Sequence, residues 1–184
     1  MEPRERFIAA LERKPLGGRV PHFELVFYLT MEAFGKVHPG HRSYHQWGQM
    51  EEKERELHRR DMAELYIATA ERYEHSAIFA HVNPGTLDEV IRQLGWIREL
   101  SGKRYFTMIH GDPTYSLPDG THMADFAYRL ADEPEKVKAE AQQRVDEALR
   151  MAEQIAKYDV LDGFALCADY CFNNGPFLSP RQFS

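Results

Sequence analysis

Cysteine is scarce in this chain: Cys167 and Cys171 are the only two among 184 residues. Two are too few for the disulfide framework of a small secreted domain, and a C-x3-C pair without further ligands falls short of a closed zinc site, so no metal is expected within these residues. No stretch approaches 18 apolar residues, which excludes a transmembrane helix. The opening Met1-Glu2-Pro3-Arg4 has no signal-peptide pattern, so a cytoplasmic protein is expected. Positive charge is short as well: 23 Lys and Arg stand against 29 Asp and Glu, a net charge of −6. That balance argues against a broad basic face for nucleic acid or a membrane surface, while leaving room for a small anion at a local cluster of arginines. Internal repeats, low-complexity tracts, Walker loops, dinucleotide glycine fingerprints, nucleophile elbows and HExxH motifs are absent too.

What is there is ordinary globular material, 43% apolar, in which helical periods alternate with short apolar runs. Residues 4–13 carry Phe7, Ile8 and Leu11 on one helical face, ended by Pro15 and Gly17-Gly18. Residues 19–27 read as a first strand, with Pro21 near its start, where a missing N–H matters least, and Glu24 inside the apolar run. Residues 31–50 are loop-rich. A long helix is expected over 51–73, with Leu57, Met62, Leu65 and Ala68 as its apolar side and the alternating charges from Glu51 to Arg60 as its exposed face. A second strand follows at 77–82. Thr86-Leu87-Asp88-Glu89 has the form of a capping box, opening a helix with Val90, Ile91, Leu94 and Ile97 on one face and Gly102 as its stop.

A third strand is expected at 105–110, then a loop to about His122, then a helix signal at Asp132-Glu133-Pro134-Glu135. The helix it opens presents Val137, Ala141, Val145, Ala148, Ala152 and Ile155. A fourth strand is expected at 162–168, and Ser179-Pro180 begins another helix. Strands separated by helices imply βαβ crossovers and a parallel sheet, an α/β fold. Four such units are half of a (β/α)8 barrel or a short open sheet; the abrupt end at Ser184 favours the half-barrel, so residues 1–184 are expected to form the N-terminal part of a single barrel domain.

In such a barrel the C-terminal strand ends converge on one mouth. The titratable residues there are His22 and Glu24 on strand 1, His81 on strand 2, His110 and Asp112 on strand 3, and Asp169 and Tyr170 on strand 4. Glu24, His81, His110 and Asp169 are the expected catalytic groups, able to move protons, with His22, Asp112, Tyr115 and Tyr170 as substrate-binding neighbours. Simpler roles stand beside these. His81 and His110 can cap strands by bonding loop backbone, Glu24 needs a partner if it is buried, and Asp169 can organise a loop. His38, His41 and His45 read as a solvated loop rather than a metal site.

The ordered set Arg4-Glu5-Arg6-Phe7-Ile8-Ala9-Ala10-Leu11-Glu12-Arg13, Arg19-Val20-Pro21, Ala77-Ile78-Phe79, Gly111-Asp112-Pro113 with Gly120, and Asp169 with Leu178-Ser179-Pro180 resembles the N-terminal half of the uroporphyrinogen decarboxylase superfamily. The resemblance implies a (β/α)8 barrel of roughly twice this length. It implies one of two activities: cofactor-free decarboxylation of uroporphyrinogen in porphyrin biosynthesis, or methyl transfer involving a corrinoid on a carrier protein. Members acting on thiols hold zinc with ligands in the second half of the barrel, so zinc is expected only with that half. The decarboxylases use an arginine-rich segment after strand 1 and an aspartate at the end of strand 2. Here Phe23-Glu24-Leu25-Val26-Phe27-Tyr28 and His81 stand in those places. A glutamate repels the carboxylates that arginine forks would hold. The expectation is therefore a corrinoid-dependent methyltransferase-like enzyme acting on a small methylated substrate, with the decarboxylase as the alternative. A third alternative is a catalytically incomplete half-barrel that needs a partner chain. Its open strand edges would make it dimeric or aggregation-prone.

Overall fold

The computed structural model describes residues 1–25, 32–36, 44–113, 118, 120–167 and 170–183, and is a mixed α/β structure with a small parallel sheet. Two compact units emerge: residues 1–110 with 153–165, and residues 111–152 with 166–184.

The first unit is built on three parallel strands, β1 (Ala77–Phe79), β2 (Phe106–His110) and β3 (Gly163–Ala165), in the order β1-β2-β3. Ala77 pairs with Phe106 and Phe79 with Met108, while Met108 pairs with Gly163 and His110 with Ala165. β1 is wholly buried and β2 is buried up to His110, which is why both read as short continuous apolar runs rather than alternating ones. Helix α1 (Pro3–Leu11) begins with proline in its first turn, where no N–H is needed, and the Glu5 carboxylate accepts from the Glu2 amide at 3.1 Å. Phe7 and Ile8 of α1, with Phe23, pack on the cluster of Ala77, Phe79, Phe106 and Met108.

Helix α2 (Glu52–Arg72) and helix α3 (Leu87–Ser101) pack against each other beside the sheet. Thr86 caps α3 by accepting from the Glu89 amide, and Gly102 ends it at φ +59°, a left-handed conformation that favours glycine. The apolar side of α2 is carried by Met62 and Leu65, whereas Leu57 is 62% exposed. The charged run of α2 is not simply an outer face either. Arg59 is 2% exposed and donates to Glu52 and Glu56 on its own helix and, through Nε and Nη2, to both carboxylate oxygens of Glu89 on α3. An arginine fork can be buried when carboxylates meet its donors on several sides.

The expected strand over 19–27 is corrected for residues 19–25, which form no strand; residues 26 and 27 lie outside the described residues. The segment runs beside β1 on an isolated backbone bond, Ser76 N–H to His22 O at 2.8 Å. Pro21 has no N–H to offer a ladder. Among the described residues the parallel sheet therefore has three strands rather than four.

The second unit holds helix α4 (Met123–Asp132) and most of helix α5 (Pro134–Ala156), whose last turn belongs to the first unit. The expected helix start near Asp132 is the junction of these two helices, and α4 lies where a helix was not expected. Arg129 of α4 grips both oxygens of Glu140 on α5 at 2.8 Å. The segment after β3 pairs Cys171 with Pro176 and Phe172 with Gly175 as a small antiparallel hairpin, β4 (Cys171–Phe172) and β5 (Gly175–Pro176). Both cysteines are exposed and neither is in a disulfide. Helix α6 (Pro180–Phe183) starts where Ser179-Pro180 suggested, with Ser179 Oγ bonded to Gln182 Oε1 at 2.8 Å. Among the described residues no helix is long and apolar enough to cross a membrane.

Candidate functional site

Parallel strands deliver their last side chains to one edge of the sheet, and here β1 and β2 deliver histidines. Ala80 extends β1 by bonding Met108 O at 2.8 Å, so His81 leaves the sheet next to His110 at the end of β2. The two imidazoles lie 6.1 Å apart, centroid to centroid. Phe79 sits against both, 4.7 Å from His81 edge-on and 5.2 Å from His110.

His81 is held in place from two directions. The phenol of Tyr66, a buried α2 residue, accepts from the His81 amide at 2.8 Å and donates to the His81 carbonyl at 3.4 Å. The ring meets Leu25 O through Nε2 at 2.7 Å. A carbonyl only accepts, so Nε2 carries the proton and, in the neutral ring, Nδ1 is the acceptor nitrogen. His81 thus bonds loop backbone, as one expectation had it, and it also stands beside a second imidazole. The chemistry open to such a pair is proton transfer at an edge walled by one aromatic face.

The other expected site residues make contacts of their own. Glu24 is half-buried and, among the described residues, has no ion-pair partner, so the buried pair considered for it is not seen. His22 lies at the opposite edge of the sheet: its ring bonds Tyr73 O at 3.0 Å, and its carbonyl receives the Ser76 amide that precedes β1. It is not brought together with His81 and His110. In the second unit, Asp112 accepts from the Cys167 amide and Tyr170 O accepts from Phe177 N. Burial first, and the Asp112 charge second, push the Cys167 thiol up, so it stays protonated at neutral pH. Tyr115, Asp169, His38 and His41, and the side chain of His45, lie outside the described residues.

Sequence reasoning missed Tyr66, which stood among the buried α2 residues without a distinguishing motif. It also missed Asp162, expected as the first residue of a strand. Asp162 accepts from Arg4 Nη2 at 2.8 Å and from the Thr107 amide at 2.9 Å, with Arg98 Nη2 at 3.3 Å. Burial alone would raise this carboxyl, but the Arg4 bonds, the Thr107 amide and the Arg98 charge outweigh it and hold it below the usual carboxylate range.

No protein-family model, curated protein or solved structure matches this chain.

Proposed function

We propose that this chain supplies βα units of a (β/α)8 barrel related to the uroporphyrinogen decarboxylase superfamily, and that its enzyme transfers a methyl group from a small substrate to a corrinoid on a carrier protein. The observation that supports this most is the adjacency of His81 and His110 at the C-terminal ends of neighbouring parallel strands, the edge where barrel enzymes keep their reacting groups. The three parallel strands among the described residues do not close a barrel, so the remaining strands would come from further chain or from a partner.

The corrinoid enters as a co-substrate, accepting the methyl group. The bond from carbon to the substrate heteroatom breaks, and its electron pair stays on the heteroatom. The chain's part is to put a proton on that departing heteroatom, which the imidazolium form of a histidine, with a proton on both nitrogens, can supply from Nδ1. His81 is the oriented member of the pair because Tyr66 and Leu25 O fix it.

The test is to incubate the protein with reduced corrinoid and a panel of methylated thiols, amines and ethers, following the absorbance change of corrinoid alkylation. Alkylation that depends on His81 is the expected outcome. Carbon dioxide release from uroporphyrinogen with no alkylation would favour the decarboxylase instead.

A further inference from the structure

At the opposite edge of the same sheet, where β1 and β2 begin, lies a cleft of about 410 Å³. That volume is within the range of small-molecule sites. α1 contributes Arg6, the segment after it Arg19, the end of α2 and the residues behind it Glu71, Glu74 and His75, and the approach to β2 Arg104.

Three guanidinium groups thus line one cleft of a protein whose net charge is −6. Arg104 bonds Glu71 at 2.8 Å, and Arg19 bonds the Glu74 carboxylate and carbonyl. A guanidinium has five N–H donors, so these pairs leave donors unspent. Arg6 has no carboxylate partner among the described residues. His75 is 4% exposed, and its Nδ1 is buried with no hydrogen-bond partner. Ion pairs at the N-terminal face of a parallel sheet usually serve stability alone. Stability explains Arg19–Glu74 and Arg104–Glu71. It does not explain Arg6, which lines the same cleft without a carboxylate partner, or the orphan nitrogen of His75 in the cleft wall, since buried polar atoms in folded proteins are ordinarily satisfied.

We propose that this cleft binds a small hydroxylated organic anion, whose phosphate or carboxylate is held by Arg6, Arg19 and Arg104 and whose hydroxyls are held by Glu71 and Glu74. Arginine forks match the planar or tetrahedral oxygens of such an anion. The two glutamates are acceptors that a bare anion would leave unused and that a polyol arm would fill. The charge of a bound anion acts on the His75 ring in the wall of the cleft. The site lies away from the His81–His110 edge and does not depend on methyl transfer there.

Calorimetric titration of the chain with glycerol 3-phosphate, malate, inorganic phosphate and glycerol tests this. One of the two hydroxylated anions should bind at one per chain with a Kd of about 1 mM or tighter, and which one does so distinguishes phosphate from carboxylate. Arg6→Gln should weaken it about tenfold or more, while Lys103→Met, which removes an exposed cation paired with Asp159 elsewhere, should leave it unchanged. Added salt should weaken binding to the unmodified chain. In ring-nitrogen NMR the ligand should raise the titration midpoint of His75, which stands by His22 and shares the cleft wall with the Met1 amino terminus, Arg6, Arg19, Glu71, Glu74 and Arg104. Heats no larger than dilution for every probe, or equal weakening by both variants, would overturn the proposal. Inorganic phosphate binding as tightly as glycerol 3-phosphate would overturn the role of the glutamates.

Discussion

Arg4 and Asp162, 158 positions apart in the chain, meet through both the Nε and Nη2 of the guanidinium at 2.8–3.2 Å. This pair ties α1 to the residue that leads into β3. Asp162 also accepts the Thr107 amide, and its own amide bonds Thr107 O at 2.8 Å. One carboxylate therefore joins α1, β2 and the start of β3, with Arg98 of α3 against its other side.

Replacing Asp162 with Ala should destabilise the first unit by about 3 kcal/mol, because Arg98 and the Thr107 amide lose a buried partner. Urea unfolding should show a lower midpoint with an unchanged slope. The sign of the pH effect follows from the depressed carboxyl. Its contribution is fully present above the unfolded value of about 3.9 and is lost as pH falls through the lower folded value. The unmodified chain should therefore lose stability below about pH 4 more steeply than Asp162→Asn; parallel acid profiles for the two would contradict this.

Arg59 and Glu89 join α2 to α3 by a bidentate pair at 2.7 and 2.8 Å. Glu52 and Glu56 are far more exposed than Glu89, so water screens their bonds to Arg59 and the pair with Glu89 carries most of the coupling. A double-mutant cycle of Arg59→Met and Glu89→Gln should give a coupling of about 1–3 kcal/mol. The same cycle with Glu52→Gln should give well under half of that.

Gly163 stands where a side chain would be a tight fit. A Cβ there would lie 3.0 Å from Phe106 Cζ, and the Phe106 ring is itself backed by Phe7 at 4.7 Å. Gly163→Ala should destabilise by about 1–2 kcal/mol. Phe106→Leu in the same chain should relieve part of that strain, so the double variant should be more stable than the sum of the singles. Additive losses in thermal unfolding would show that Phe106 yields freely.

The local elements were legible because their signals are local. Thr86 followed by Glu89 placed the start of α3, Gly102 its end, and apolar runs placed β1 and β2. The α4 helix carried a readable signal in the helical spacing of Met123, Phe126 and Leu130. Tertiary chemistry left no such trace. Glu89 has the position of a capping-box acceptor, yet its carboxylate goes to Arg59, a preference set by a buried charge on another helix. Val20 and Phe23 gave 19–25 the composition of a strand, but Pro21 and a solitary bond to Ser76 leave it without a ladder. His81 and His110 were found because parallel strand ends are predictable positions. Arg6, Arg19, Arg104 and His75 were not, since nothing in their spacing reveals a shared cleft.

Tyr66 decides how firmly His81 is held, and that is measurable apart from any activity. Tyr66→Phe keeps the packing of the ring and deletes only the oxygen that accepts the His81 amide at 2.8 Å. The amide then loses that acceptor, at a cost of about 1–2 kcal/mol. Hydrogen exchange at His81 should accelerate about tenfold or more, while the amide of Ala80, bonded to Met108 O, stays protected. If His81 delivers a proton, the same variant should lower corrinoid alkylation at saturating substrate with little change in KM, because the imidazole is misplaced rather than removed. Faster exchange at His81 with undiminished alkylation would leave His81 a strand cap and shift the proton transfer to another group.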